Sequence, residues 1–263
     1  MRRRNIRGQR SPQPRVVVIV PAAGAGRRMG RQGAGKLRLR IGGVPLLVHT
    51  LRRLTASPLV HGVVIVGRPG HEALLRGLCR AWRVPRVLAV VAGGATRAAS
   101  VWRGLQAVPQ ATSIVLVHDG ARPFPSQALI AKVIHETRRH GAAIAALPVT
   151  STVKEANGAH LVRRTVPRDT LWLAQTPQGF RAERLRRAYQ RIIGRGASAD
   201  AALRRLALSD DASVVERSGG RVRLVPGEAT NIKVTVPADL VIAQTLCRHV
   251  PGTRYRDRRR RPC

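Results

Sequence analysis

Short apolar runs rich in β-branched residues alternate along this chain with longer amphipathic stretches, and that alternation limits the possible folds most. The runs are Val16–Val20, Val63–Val66, Val87–Val91, Ile114–Val117 and Ala142–Pro148. Helical candidates lie between them at Pro45–Ala56, Gly70–Trp82, Thr96–Ala107 and Ser126–Arg139. Helices of that length joining strands that short predict βαβ units. The expected fold is therefore α/β and Rossmann-like, a mostly parallel sheet flanked by helices. In such sheets ligands sit beyond the carboxyl ends of the strands.

The first run empties into Pro21-Ala22-Ala23-Gly24-Ala25-Gly26, followed by Arg27 and Arg28. Small residues let backbone N–H groups approach an anion closely, so this loop suits phosphate. It is not a dinucleotide fingerprint, because Met29 stands where the third glycine belongs. Gly30 to Lys36 begins like a P-loop, but Leu37 replaces the Mg²⁺-binding hydroxyl and the segment starts ten residues after the strand ends.

After Pro148 the rhythm breaks. Residues 149–173 are polar, rich in Thr and Arg, and carry Asn157-Gly158 near their middle, a hairpin signal. A β-arm projecting from the sheet is expected there. Helices follow at Arg181–Arg195 and Ala199–Leu206, then a strand at Arg221–Val225 and a closing helix near Pro237. The expected organisation is a basic tail at 1–15, one domain at 16–250 and an Arg-rich tail at 251–263.

No apolar run approaches the length of a membrane span, and the apolar stretch before Pro21 is too short for a secretory signal. Cys79, Cys247 and Cys263 are odd in number and lack C-x-x-C spacing, which predicts free thiols in a reducing cytoplasm and no zinc site. The net charge is +35, to which six arginines in 1–15 and seven in 248–263 contribute. A basic body suits phosphate ligands, whose local concentration its field raises. It also suits nucleic acid, but Arg258–Arg261 has no interleaved aromatics to stack on bases. Lysine is rare: only Lys36, Lys132, Lys154 and Lys233 occur, so a lysine inside a motif points to a need for a compact ammonium.

Several segments together carry a resemblance: P-A-A-G-x-G-x-R-M-G from Pro21 with Lys36 beyond it, Gly93-Gly94-Ala-Thr-Arg97-Ala-Ala-Ser100, Val117-His-Asp119-Gly-Ala-Arg122-Pro123, Thr176-Pro-Gln, and Asn231-Ile-Lys233-Val-Thr235. In this order and spacing, from about Val16 to about Leu246, the chain resembles the 2-C-methyl-D-erythritol 4-phosphate cytidylyltransferases of the sugar-phosphate nucleotidyltransferase superfamily.

The resemblance implies that Pro21, Ala22, Ala23, Gly24, Ala25, Gly26, Arg28 and Lys36 hold the triphosphate of CTP, that Gly94, Arg97 and Ser100 read the base, and that Asp119 also belongs to the CTP site. It implies that Asp119, Arg122, Thr152, Arg168, Thr176 and Lys233 bind the sugar-alcohol phosphate. Arg28, Lys36, Arg168 and Lys233 become the catalytic set, and Mg²⁺ the cofactor, with Asp119 its candidate ligand. The arm is expected to clasp a second subunit in a homodimer, carrying Thr152 and Arg168 to the neighbour's site.

The residue types agree with the chemistry. A phosphate monoester is already largely an anion at neutral pH, so its attack on the α-phosphorus needs positive charge and geometry, not a base. Three departures from the family pattern stand out: Ala95 where an acid is common, Gly35-Lys36-Leu37 for Pro-Lys-Gln, and Thr150-Ser151-Thr152 for Arg-Asp-Thr. Asp119 could instead cap a turn, Asp210-Asp211 reads as a helix cap, and His118 as a packing residue rather than a metal ligand. A pentitol-phosphate cytidylyltransferase, such as one using ribitol 5-phosphate, is the nearest alternative; a nucleic-acid-binding protein is the remote one.

Overall fold

The structure, a computed structural model, describes residues 15–24, 26, 29, 37–194 and 198–251. Its parallel core is β1 (Arg15–Pro21), β4 (Gly62–Gly67), β5 (Val87–Ala92) and β6 (Thr112–Val117), interleaved with α1 (Leu46–Thr55), α2 (Glu72–Ala81) and α3 (Arg97–Gln106). A small hairpin, β2 (Arg40–Ile41) and β3 (Val44–Pro45), precedes α1. Arg15, expected in the tail, opens β1.

α4 (Gln127–His140) leads to β7 (Ala142–Pro148), and β8 (Val153–Ala156) with β9 (Val162–Val166) forms the separate two-stranded arm. Then come β10 (Trp172–Arg181), α5 (Ala182–Ile193), α6 (Ala199–Arg205), α7 (Ala212–Arg217), β11 (Arg223–Pro226) and α8 (Pro237–His249). The main sheet has seven strands in the order β11-β7-β10-β6-β1-β4-β5. β1 pairs parallel with both β4 and β6, whereas β10 runs antiparallel between β6 and β7.

β1 shows why the sheet is covered on both faces. Val16, Val18 and Val20 pack with Leu47 and Leu51 of α1 and Ile130 of α4; Val17 and Ile19 face Leu105 of α3 and Tyr189 of α5. A strand buried on both sides must be apolar at every position, which is why it reads as an unbroken run. Two helix starts, those of α3 and α4, follow a capping side chain: the Thr96 hydroxyl accepts from Ala99 N–H and that of Ser126 from Leu129 N–H. α4 ends on Gly141 at φ +81°.

The fold is the expected one, with corrections at particular elements. Leu173, expected to close the arm, belongs to β10, a central strand absent from the sequence reading; α7 is likewise absent from it. The hairpin turn also spans residues 157–161, with Asn157 Oδ1 accepting from the N–H groups of Ala159 and Leu161. Among the described residues no helix is long and apolar enough to cross a membrane.

Candidate active site

The carboxyl ends of β1, β4, β5 and β6 converge on a cleft of about 420 Å³. Its floor is the loop after β1, fixed from both sides: Ala22 N–H donates to Val66 O at 2.7 Å, and Gly120 N–H to Pro21 O at 3.2 Å. Pro21, Ala22, Ala23 and Gly24 line it, together with Gly94, Ala95, Thr96, Arg97 and Ser100 from the loop before α3. Gly93 must lack a side chain, because a Cβ there would stand 2.9 Å from Gly67 O and 2.8 Å from Ser100 Oγ. Ser100 is 2% exposed; its hydroxyl accepts from Gly94 N–H at 3.1 Å and donates to Thr96 O at 2.9 Å, fastening the loop.

Gly26 adopts φ +65° and its carbonyl accepts from Met29 N–H. Ala25, Arg28 and Lys36, three of the expected triphosphate contacts, lie outside the described residues.

A second pocket of about 220 Å³ shares Arg97, Asp119 and Lys233 with the first and adds Arg122 and Thr176. At the junction sits Asp119, just past the end of β6. Its Oδ2 is 2.8 Å from Lys233 Nζ and 3.7 Å from Arg122 Nε, and its Oδ1 is 3.4 Å from Arg97. Burial alone would raise this carboxyl; Arg97, Lys233 and Arg122 overcome it and hold it well below the usual carboxylate range. Asp119 is thus the hub of a cationic cluster, not the cap of a turn.

The neighbouring motifs support that hub. Thr176 Oγ1 accepts from Asp119 N–H at 3.1 Å and donates to His118 Nδ1 at 3.2 Å. His118 Nε2 then donates to Arg122 O at 3.0 Å, which fixes the tautomer because a carbonyl only accepts. Burial holds the His118 imidazole down at about 4, so it is neutral at pH 7, with both nitrogens engaged. Asn231 donates to Thr176 O at 2.7 Å and its carbonyl accepts from Arg122 at 2.7 Å, tying the segment that carries Lys233 to β10.

The structure therefore brings together residues from four of the five motifs and part of the first. Thr152 and Arg168 are exposed at the root of the arm, where the Arg168 guanidinium donates to Thr150 O, and neither lines these two pockets of its own chain. In addition to the expected residues, Arg68 lines the cleft and Ser209 and Asp210 line the second pocket. Ser209 and Asp210 stand in a motif-free loop whose sequence gives no sign of its destination. Asp210-Asp211 behaves as a cap only in part: Asp210 Oδ1 accepts from Ser213 N–H, whereas the Asp211 side chain makes no capping bond and is buried against Arg97 and Tyr189.

Among the described residues, no group of three or more His, Cys, Asp or Glu side chains could hold a metal. Asp119 offers one carboxylate, its Oδ1 engaged only by long contacts to Arg97. That donor set does not make a self-sufficient cation site, but it fits an ion that arrives already bound to phosphate oxygens.

The family model described as 2-C-methyl-D-erythritol 4-phosphate cytidylyltransferase matches residues 16–249. The chain belongs to this family. A cytidylyltransferase of that name from Syntrophus aciditrophicus is 39% identical over 241 residues, covering 91% of this chain and 99% of the relative. Among solved structures, the 2-C-methyl-D-erythritol 4-phosphate cytidylyltransferase from Thermus thermophilus is 39% identical with a TM-score of 0.67, covering 88% of this chain and 98% of its own. The 4-diphosphocytidyl-2C-methyl-D-erythritol synthase from Anaerococcus prevotii reaches a TM-score of 0.74 at 27% identity, covering 89% and 99%. The family's seven-stranded, mostly parallel scaffold is thus shared along nearly the whole of these relatives.

Proposed function

We propose that this chain transfers CMP from CTP to 2-C-methyl-D-erythritol 4-phosphate, giving 4-diphosphocytidyl-2-C-methyl-D-erythritol and pyrophosphate. The observation that carries the reading is the cluster of Arg97, Arg122 and Lys233 around Asp119, set where the nucleotide loop meets the second pocket. The first cleft takes the nucleotide, with backbone of residues 21–24 beside the phosphates. The second takes the acceptor, whose phosphate meets Lys233 and Arg122 and whose hydroxyls meet Asp119 and Thr176.

The acceptor phosphate attacks the α-phosphorus in line and pyrophosphate leaves. Its second ionisation lies near pH 6, so it is already largely an anion at neutral pH. His118, neutral and engaged at both nitrogens, is not called on as a base. The protein supplies alignment and fixed positive charge against the charge that builds on the phosphoryl oxygens. Mg²⁺ entering with the triphosphate would be held by Asp119 as its one protein carboxylate, and when bound it neutralises phosphate charge. The body's excess of arginine favours encounter with both substrates.

The arm leads to the quaternary reading. Leu161 and Val162 are 66% and 62% exposed on it, an apolar tip that a second copy would cover in a homodimer. Arg168 and Thr152 would then complete the neighbour's acceptor pocket. The free thiol of Cys79 suits the cytoplasm.

The test is pyrophosphate release with CTP, UTP or ATP, each paired with methylerythritol phosphate or ribitol 5-phosphate, with and without Mg²⁺. Turnover should require Mg²⁺ and favour CTP with methylerythritol phosphate. Comparable rates with UTP or ATP would overturn the cytidylyl assignment, and preference for ribitol phosphate would overturn the acceptor.

A further inference from the structure

Arg97 is shared between two carboxylates that differ in every respect except charge. Its NH1 meets Asp211 Oδ2 at 2.6 Å, while its Nε and NH2 reach Asp119 Oδ1 only at 3.4 Å. The Asp119 side chain is 10% exposed and faces the cleft; that of Asp211 is fully buried and lines neither pocket. Asp211 is itself anchored. The Tyr189 hydroxyl, on the hidden face of α5, donates to its Oδ1 at 3.0 Å. Gln178 Oε1 accepts from the backbone N–H of Asp211 at 3.1 Å and of Ala212 at 3.2 Å, and Gln178 Nε2 donates to Asp210 Oδ2 at 2.8 Å.

We infer that Asp211 is a positioning residue that withholds Arg97 from Asp119, keeping the Asp119 carboxylate open to the acceptor. The reasoning is a competition for one guanidinium. Where the dielectric is low, the closer and drier carboxylate holds the cation. Arg97 therefore stays within reach of the cleft while its shortest hydrogen bond points away from it. Without the negative charge on Asp211, a guanidinium still needing a partner closes on Asp119 and turns a loose contact into a tight pair. Asp119 Oδ1, the oxygen not taken by Lys233, is then occupied before substrate arrives. Burial raises the Asp211 carboxyl, and Arg97 and the Tyr189 hydroxyl oppose that rise. Gln178 acts one step further back, by fixing the backbone at Asp211 and Ala212.

This inference rests on the cytidylyltransferase reading, and the experiment separates the two. Steady-state kinetics in methylerythritol phosphate, with CTP saturating, are measured for wild type, Asp211→Asn, Arg97→Gln and the double variant. Asparagine keeps the shape and can still accept from Tyr189. Asp211→Asn should raise the acceptor KM roughly tenfold while changing kcat much less, because a substrate contact is pre-empted rather than a catalytic charge removed. In the Arg97→Gln background the same substitution should have little further effect, since no guanidinium remains to move.

Tyr189→Phe keeps the packing and removes one bond to Asp211. It should shift KM in the same direction by a smaller factor, and it carries the same cycle with Arg97→Gln if Asp211→Asn does not fold. Independent, additive effects in the Asp211 cycle, or in the Tyr189 cycle that replaces it, would overturn the inference. So would a fall in kcat with unchanged KM. Absence of CTP turnover by the wild-type protein would instead overturn the reading on which it rests.

Discussion

The pocket's residues are distant in sequence, and their legibility follows from how far away their partners lie. Asp119, Arg122, Thr176 and Lys233 could be read because each stands in a compact motif. Asp211 could not: adjacent to another aspartate and ahead of a short helix, it looks like a cap, and its partner Arg97 lies 114 residues earlier. Local sequence reports local hydrogen bonds, and a buried ion pair between distant segments leaves no local trace. His118 gives a residue-scale prediction. Burial holds it neutral down to about 4 in the fold, against 6.5 when unfolded, and burial also lowers His49. Between those two values the unfolded chain takes up a proton that the fold refuses, so stability should fall as pH drops from 6.5 to about 4. The His118 share is on the order of 3 kcal/mol. Asp119, lowered instead, loses its contribution only at more acid pH. Urea unfolding at pH 7, 5.5 and 4 should show this slope, and His118→Gln should flatten it; an unchanged slope in the variant would contradict the assignment.

At the scale of elements, the βαβ run was legible because both periodicities were present and the turns between them short. β10 was not. Its first residues, Trp172 and Leu173, directly follow the polar stretch and are read with the arm, and Pro177 and Gln178 interrupt what would otherwise read as a central strand. α7 has only six residues, too few for a helical period to declare itself. The packing of α3 on the sheet yields the next prediction. A Cβ on Gly104 would stand 2.7 Å from Ile19 Cγ2 and 2.8 Å from Val66 Cγ2, both methyls on buried, fixed strands. Gly104→Ala gains up to about 1 kcal/mol in helix propensity, but overpacking of about 1–3 kcal/mol should win. The thermal midpoint should fall; a rise would show that α3 can lift off the sheet without cost.

For the whole molecule, the question is whether one chain makes one complete site. Lys233 lies in its own cleft, while Arg168 stands exposed at the root of the arm. Lys233→Ala and Arg168→Ala should each lower kcat/KM by roughly 10²–10³, as removal of a cation at reacting charge does. If the proposed homodimer forms, unfolding, mixing and refolding the two variants makes about half the dimers mixed under random exchange. In those, the cleft of the Arg168→Ala chain keeps its own Lys233 and borrows Arg168, while the other cleft lacks both. About a quarter of wild-type activity should return under that isologous geometry. Verified mixed dimers as inactive as their parents would place Arg168 within its own chain's chemistry or outside it altogether.

β10 joins these scales. It pairs with β7 from Trp172 opposite Pro148 at the arm's root to Phe180 opposite Ala142, with its register shifting between Ala174 and Gln178. Thr176 lies within that irregular stretch and Gln178 at its end. One strand therefore serves as both the anchor of the arm and a wall of the second pocket, with a register irregularity between them. A tug on the arm reaches Thr176 along covalent backbone, through the short turn at residues 167–171 and the first residues of β10. In the proposed homodimer, grip by a neighbour and grip on the acceptor would be two ends of one tether.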